Sequence, residues 1–364
     1  MTWLLLLLLP FACRPPAVAE PERHVLVVDQ ERSEVAGKGL LMTVSEGAGE
    51  PSYPTLIDSE GGIRWVRRLP GKVLRVRAST PRDGRDTVLV LLDAYDGEPG
   101  AVQRETFDGR VLSVTPAPDA HHDVLELADG RLAWLEHTEG IAPLPADPEA
   151  PISTDKVMVG PEGGEGEAVF DFFRDYPEDP WWVCDHMKKG QRIPGYYQWS
   201  HSNSLVQDPG RPDELGVMVR NFDGLMWFDL ETGTFQDQLG GLRSTIDFGP
   251  EGFDHAHMSH SPSPGRYLVF DNRLHSKEAS RVLEVEVDRD EGVAEIVWAW
   301  THPEIGTVGF LGDVRRLPGG NTLIAWADEG RLTEVTPEGE VVWELLVDGV
   351  RYIGRVQLWE GQLP

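Results

Sequence analysis

Three histidine-headed segments recur along the chain, each leading into an alternating apolar run: His122-Asp-Val-Leu-Glu-Leu-Ala-Asp-Gly130, His201-Ser-Asn203-Ser-Leu205 and His257-Met-Ser-His260-Ser-Pro-Ser-Pro-Gly265. Extending the interval from His201 to His257 once more reaches Asp313, in a segment of the same shape that ends in Leu317-Pro-Gly-Gly-Asn321. An imidazole titrates near neutrality, so these side chains can attack as uncharged nucleophiles or move protons. Arg220, in Gly216-Val-Met-Val-Arg-Asn-Phe-Asp223, adds a planar fork of donors suited to a tetrahedral oxyanion. If equivalent positions of successive repeats ring one axis, His122, His201, Asn203 and His257 converge, and with Arg220 they form an anion site. The plain alternatives are histidines satisfied singly near loops and an arginine paired to a neighbouring carboxylate.

The elements that must position these residues show themselves in a second series. A Gly-centred turn followed by an apolar strand occurs in Glu60-Gly-Gly-Ile-Arg-Trp65, Asp108-Gly-Arg-Val-Leu112, Gly164-Glu-Gly-Glu-Ala-Val-Phe170, Thr232-Gly-Thr-Phe235, Glu291-Gly-Val-Ala-Glu-Ile-Val-Trp298 and Glu338-Gly-Glu-Val-Val-Trp343. Gly tolerates the positive φ that tight β-turns demand, so these are hairpin signals. Helical periodicity is hard to find. Six repeating hairpin units predict an all-β, six-bladed β-propeller with four-stranded antiparallel blades around a central channel.

Composition agrees with that architecture: 364 residues with 39 Gly, 28 Pro and 12 Trp suit a turn-rich β fold. A formal charge of -28 argues against nucleic acid, whose phosphates repel such a surface. Residues 1–19 read as an export signal, since the run Leu4–Leu9 is too short for a mature membrane span. Two processing sites compete there, one before Cys13 of lipoprotein type and one after Ala17-Val-Ala19; the first allows membrane anchoring through a lipidated Cys13. The expected location is therefore exported, either periplasmic or anchored as a bacterial lipoprotein. A single propeller domain is expected over 22–364, with a long loop at 174–198 rich in Trp, Tyr and cations. Cys184 in that loop has no partner once Cys13 is lipidated or removed, and reads as a small buried hydrophobe.

Taken together, Tyr53-Pro-Thr-Leu-Ile-Asp-Ser-Glu-Gly61, His121-His-Asp-Val-Leu-Glu-Leu127, Trp199-Ser-His-Ser-Asn-Ser-Leu205, Val219-Arg220, Phe270-Asp-Asn272, Leu317-Pro-Gly-Gly-Asn-Thr-Leu-Ile324 and Arg351-Tyr-Ile-Gly-Arg-Val356 give the chain a resemblance to the bacterial arylsulfate sulfotransferase family. The resemblance spans most of the chain, and the His-x-Asn element with its downstream Arg is its most specific part. It implies ping-pong transfer of a sulfuryl group from a phenolic sulfate ester to a phenol through a sulfohistidine, with no nucleotide sulfate, other cofactor or metal. By motif position the nucleophile is His257, with His255 the other candidate and a substrate-binding residue; His255, His257 and His260 offer three imidazoles where the family pattern needs one. Arg220, Asn203 and His201 would hold the sulfuryl oxygens. His122 would join them and serve as acid and base, while His121, its strand neighbour, is expected to point away. The family's larger members carry an additional N-terminal β-domain, for which this chain has no room.

Two other readings use the same residues differently. A non-catalytic exported propeller could bind a ligand or protein across its mouth, because fold alone does not fix function. Three imidazoles about an axis could instead hold zinc or iron, although Arg220 beside them opposes a cation. The closing segment, residues 351–359, is expected to fasten the ring by pairing with the first blade or the N-terminal segment.

Overall fold

The computed structural model describes residues 23–45, 52–69, 72–94, 97–144, 147–176, 184, 195–250, 252–347, 350 and 352–361. The expected export signal, Cys13, Arg351 and most of the 174–198 loop lie outside these residues. Among those described, no helix is long and apolar enough to cross a membrane.

Six antiparallel sheets of four strands, two of them with an added strand, make up the molecule. From inside outward, the first blade is Tyr352–Trp359, Gly39–Ser45, Ser52–Asp58 and Ile63–Val66; the second is Val73–Arg82, Arg85–Leu92, Ala101–Thr106 and Val111–Pro116. The third runs Ala120–Glu126, Leu132–Leu144, Asp147–Gly160 and Glu167–Asp171, and the fourth Ser202–Val206, Glu214–Val219, Gly224–Asp229 and Phe235–Leu239. The fifth is Met258–Ser263, Arg266–Asp271, Arg281–Asp288 and Val293–Thr301; the sixth is Asp313–Arg316, Thr322–Trp326, Arg331–Val335 and Val341–Val347. Each of the six Gly-centred turns read from the sequence joins the third strand of a blade to its fourth. Gly61, Gly109, Gly163, Gly233, Gly292 and Gly339 take the left-handed φ there, which a Cβ would oppose.

The blades close into a ring because each junction between neighbours is an apolar core. Leu205, Val217 and Met226 of the fourth blade, for example, pack with Ile152, Val157 and Phe170 of the third. Corresponding clusters fill the other five junctions. Trp134, Trp227, Trp326 and Trp343 are fully buried within these cores; truncating one such ring to Ala costs about 3–5 kcal/mol. Ring closure is double. Tyr352–Trp359 enters as the innermost strand of the first blade, pairing with Gly39–Ser45, and Arg23–Val28 adds to the outer edge of the sixth along Val341–Val347. The inner strands of adjacent blades lie side by side, so one inner-strand position in every blade faces a common axis.

Candidate active site

The axial end of the inner strands gathers three of the sequence-selected histidines. The His122 ring lies 5.1 Å from that of His201, and His201 lies 6.3 Å from His257, centroid to centroid. His201 and His257 are buried. They arrive there through backbone that alternation does not anticipate. His122 (φ 53°), His201 (φ 56°), His255 (φ 58°), Leu311 (φ 57°) and Arg355 (φ 49°) all occupy the left-handed region where their inner strands begin or bulge, a conformation that costs a non-Gly residue about 1–2 kcal/mol. The even spacing from His201 through His257 to Asp313 therefore joins two parallel series. His201, His255 and Leu311 share the left-handed position, and Asn203, His257 and Asp313 stand two residues beyond it.

His257 has its tautomer fixed by its surroundings. Its Nδ1 lies 2.7 Å from Oδ1 of Asn272. The Asn272 amide cannot be turned the other way, because its Nδ2 donates to the carbonyls of Val308 and Leu311, each at 3.0 Å. Nδ1 of His257 must then carry the proton, leaving Nε2 as the nitrogen with the lone pair.

A second chain of polar contacts stands behind His122. Asp155 Oδ1 lies 3.1 Å from Nε2 of His121, and His121 Nδ1 lies 2.7 Å from Nδ1 of His122. In the neutral ring the His121 proton sits on Nε2, the nitrogen that faces the carboxylate, so its Nδ1 accepts from His122 and Nε2 becomes the basic nitrogen of His122. The expectation that His121 points away is thus wrong. Opposite the consecutive Trp134 and Leu135 the inner strand bulges, with His122 and Asp123 as its extra residues, which breaks strict alternation and brings adjacent histidines to one side. Burial pushes His121 below the ordinary imidazole range, reinforced by His137, whose ring stacks on it at 3.9 Å; Asp155 opposes this. Asp155 itself is held well below the carboxylate range by His121 and His137 despite its burial. The same carboxylate accepts from Ser200 Oγ at 2.6 Å and from the N–H of Ser202, and so clamps the backbone on both sides of His201.

Asn203 is fully buried, and neither end of its side-chain amide makes a hydrogen bond among the described residues. Arg220 opens a short 3-10 turn, Arg220–Phe222, just after the second strand of its blade and not within it. Its N–H donates to the His201 carbonyl at 3.1 Å and its Nη1 to Asn221 Oδ1 at 2.8 Å, which holds it at the same end as His201. A cavity of about 370 Å³ opens beside His122, with His121, His137, Leu311, Tyr352 and Arg355 among its walls. That volume lies within the range of small-molecule sites.

The cluster His255, His257, His260 is divided three ways. His257 faces His201 and Asn272. His255 packs on His275 at 4.2 Å, with its Nε2 2.9 Å from Sγ of Cys184, so Cys184 is buried as expected but meets imidazole as well as apolar surface. His260 turns to Arg315, 3.2 Å from its Nη1. Among the described residues, the His/Cys/acid groups close enough to hold a metal are Cys184 with His255 and His275, His121 with His137 and Asp155, and Asp223 with Asp254 and His275. None is the His122, His201, His257 set. Sequence reasoning missed Asp155, which sits on a third strand with no motif around it; Asn272 was within reach, at the end of Phe270-Asp-Asn272.

No protein-family model matches the chain, and no curated protein matches it. Among solved structures, a protein of unknown function from Bacteroides caccae is similar over 90% of this chain and 100% of its own, with 14% identity and a TM-score of 0.57. The periplasmic gluconolactonase of Pseudomonas aeruginosa aligns over 90% of this chain and 99% of its own (16% identity, TM-score 0.49). Virginiamycin B lyase from Staphylococcus aureus aligns over 93% and 100% (10% identity, TM-score 0.47). At such identities a likeness bears on the fold alone; the ring of six four-stranded sheets itself defines the chain as a β-propeller.

Proposed function

We propose that this propeller is an exported aryl sulfotransferase that carries the sulfuryl group on His257. The observation that carries the reading is the fixed tautomer of His257: Asn272 holds the Nδ1 proton and leaves a neutral Nε2 nucleophile beside His201 and His122. A neutral imidazole can approach a sulfate ester without repulsion from its anionic oxygens. The Nε2 lone pair of His257 forms the N–S bond as the bond from sulfur to the aryl oxygen breaks, and the departing phenolate takes the Nε2 proton of His122, which enters this step as the imidazolium and leaves it neutral. A second phenol then gives its proton to Nε2 of His122 and attacks sulfur, breaking the N–S bond and restoring His257. Asp155 and His121 keep His122 in the tautomer this requires. Asn203, His201 and Arg220 would stabilise the oxygens of the transferring group, a role in which one donor is worth about 3 kcal/mol. The donor is a phenolic sulfate ester and the acceptor a phenol, and the chemistry needs no metal or nucleotide.

The test is incubation of purified protein with 4-nitrophenyl sulfate, with and without an added phenol, following nitrophenol release and intact mass. Acceptor-dependent release with one sulfuryl adduct that disappears in His257→Ala is the expected result. Absence of both signals across several aryl sulfates would favour the binding propeller.

A further inference from the structure

The interior of the channel carries more positive charge than its carboxylates balance. Arg75 and Arg77 enter it from Val73–Arg82, Arg315 from Asp313–Arg316 and Arg355 from Tyr352–Trp359, all innermost strands. Against them stand Asp123 and Asp313. Arg77 forks onto Asp123 at 3.2 and 2.8 Å. Arg75 lies 3.1 Å from Asp123 and 3.8 Å from Asp313, and Arg315 lies 3.6 Å from Asp313. All six side chains are buried. His260 adds no charge, because burial and the nearby Arg315 hold it well below the imidazole range. The carboxylates have further duties: Asp123 accepts from the N–H groups of Val124 and Leu205, and Asp313 from those of Val314 and Val356.

The donors are as unbalanced as the charges. Among the described residues, none of the three side-chain nitrogens of Arg75 makes a hydrogen bond, nor do Nε and Nη2 of Arg315, although all are enclosed. Arg355 directs its donors at the Asn203 carbonyl and the Met258 sulfur, and a thioether is a weak acceptor. Burial, reinforced by Arg77, pushes Arg75 well below the ordinary guanidinium range, and burial brings Arg315 down to about 10; a guanidinium nevertheless keeps its proton in proteins, so the cluster does not relieve itself as buried lysines do. Unmatched buried charge is strongly unfavourable unless a counter-ion joins it.

We propose that the channel binds a small oxyanion of the sulfate or phosphate type among Arg75, Arg315 and Arg355, deeper along the inner strands than the histidines and adjoining their site through Arg355. Guanidinium forks from three blades match the several oxygens of a tetrahedral oxyanion better than a spherical halide. The inference does not depend on the sulfuryl-transfer reading.

The test uses the whole protein in sulfate- and phosphate-free buffer at constant ionic strength. Sodium sulfate or phosphate should raise Tm saturably, by about 4 °C or more at a hundredfold excess over Kd, and sodium chloride should not. Arg315→Met should weaken the response at least about tenfold, whereas Arg220→Met, altered at the histidine end, should keep it. If the ion survives purification, ion chromatography of the denatured protein should release it. Crystals grown with selenate should show anomalous scattering between Arg75 and Arg315, which decides the matter even if Arg315→Met does not fold. Selenate confined to the histidines, or a response lost in Arg220→Met and kept in Arg315→Met, overturns the proposal. So does an equal response to chloride, or the absence of shift, released ion and axial selenate together.

Discussion

Asn272 decides which nitrogen of His257 carries the proton, because two carbonyls from the 308–311 segment fix its own amide. Asn272→Asp keeps an acceptor at Nδ1 but makes it anionic, which favours the imidazolium and lowers the fraction of neutral His257. The acid limb of the pH profile for 4-nitrophenol release should move up by about one unit, with kcat/KM about tenfold lower on that limb and about threefold lower at neutral pH. An unchanged profile would remove Asn272 from the mechanism.

His121→Phe should expose the dependence of His122 on the polar contacts behind it. Proton transfer by a positioned side chain contributes about 10²–10⁴-fold. The variant should therefore lose about a hundredfold in transfer to a phenol and in cleavage of unactivated phenyl sulfate. Release of 4-nitrophenolate, a good leaving group, should suffer less, so the ratio of the two donors' rates is the measurement.

Asp123 joins the third blade to the second through Arg75 and Arg77 and to the fourth through the Leu205 N–H. Removing one partner of a buried ion pair costs about 3–5 kcal/mol. Asp123→Asn should lower the urea midpoint accordingly, and a midpoint equal to wild type would refute this account of the channel.

Burial pushes Asp223 up to about 6, from an unfolded value of about 3.9. A carboxyl raised on folding opposes stability fully above its folded value, and the cost disappears as pH falls from about 6 toward 4. In that window Asp223 contributes stability that grows with acidity, and Asp223→Asn should flatten its share of the slope. Urea denaturation of both proteins at pH 4.5 and 7 gives the comparison.

The sheets were legible because turn chemistry repeats: each Gly-centred hairpin marks the third-to-fourth strand link of one blade, and the final strand joins the first blade as expected. The histidines were legible as a convergent set, but their phase was not. A left-handed residue at 122, 201 or 255 leaves no trace in hydrophobic alternation, so His121 was assigned to the wrong side and His201 was matched to His257 in place of His255. Asp155, Arg75, Arg77 and Arg315 were illegible for a different reason: charged residues inside strands read as solvent-facing unless the axis they border is known.

The strand Tyr352–Trp359 is both the latch of the ring and the carrier of Arg355, which reaches the Asn203 carbonyl across the axis. In the order of synthesis this strand follows the segments that supply the other channel arginines and every histidine of the site. Completion of the channel therefore waits for the last described stretch of chain, and a nascent polypeptide would hold its histidines in a ring that is still open.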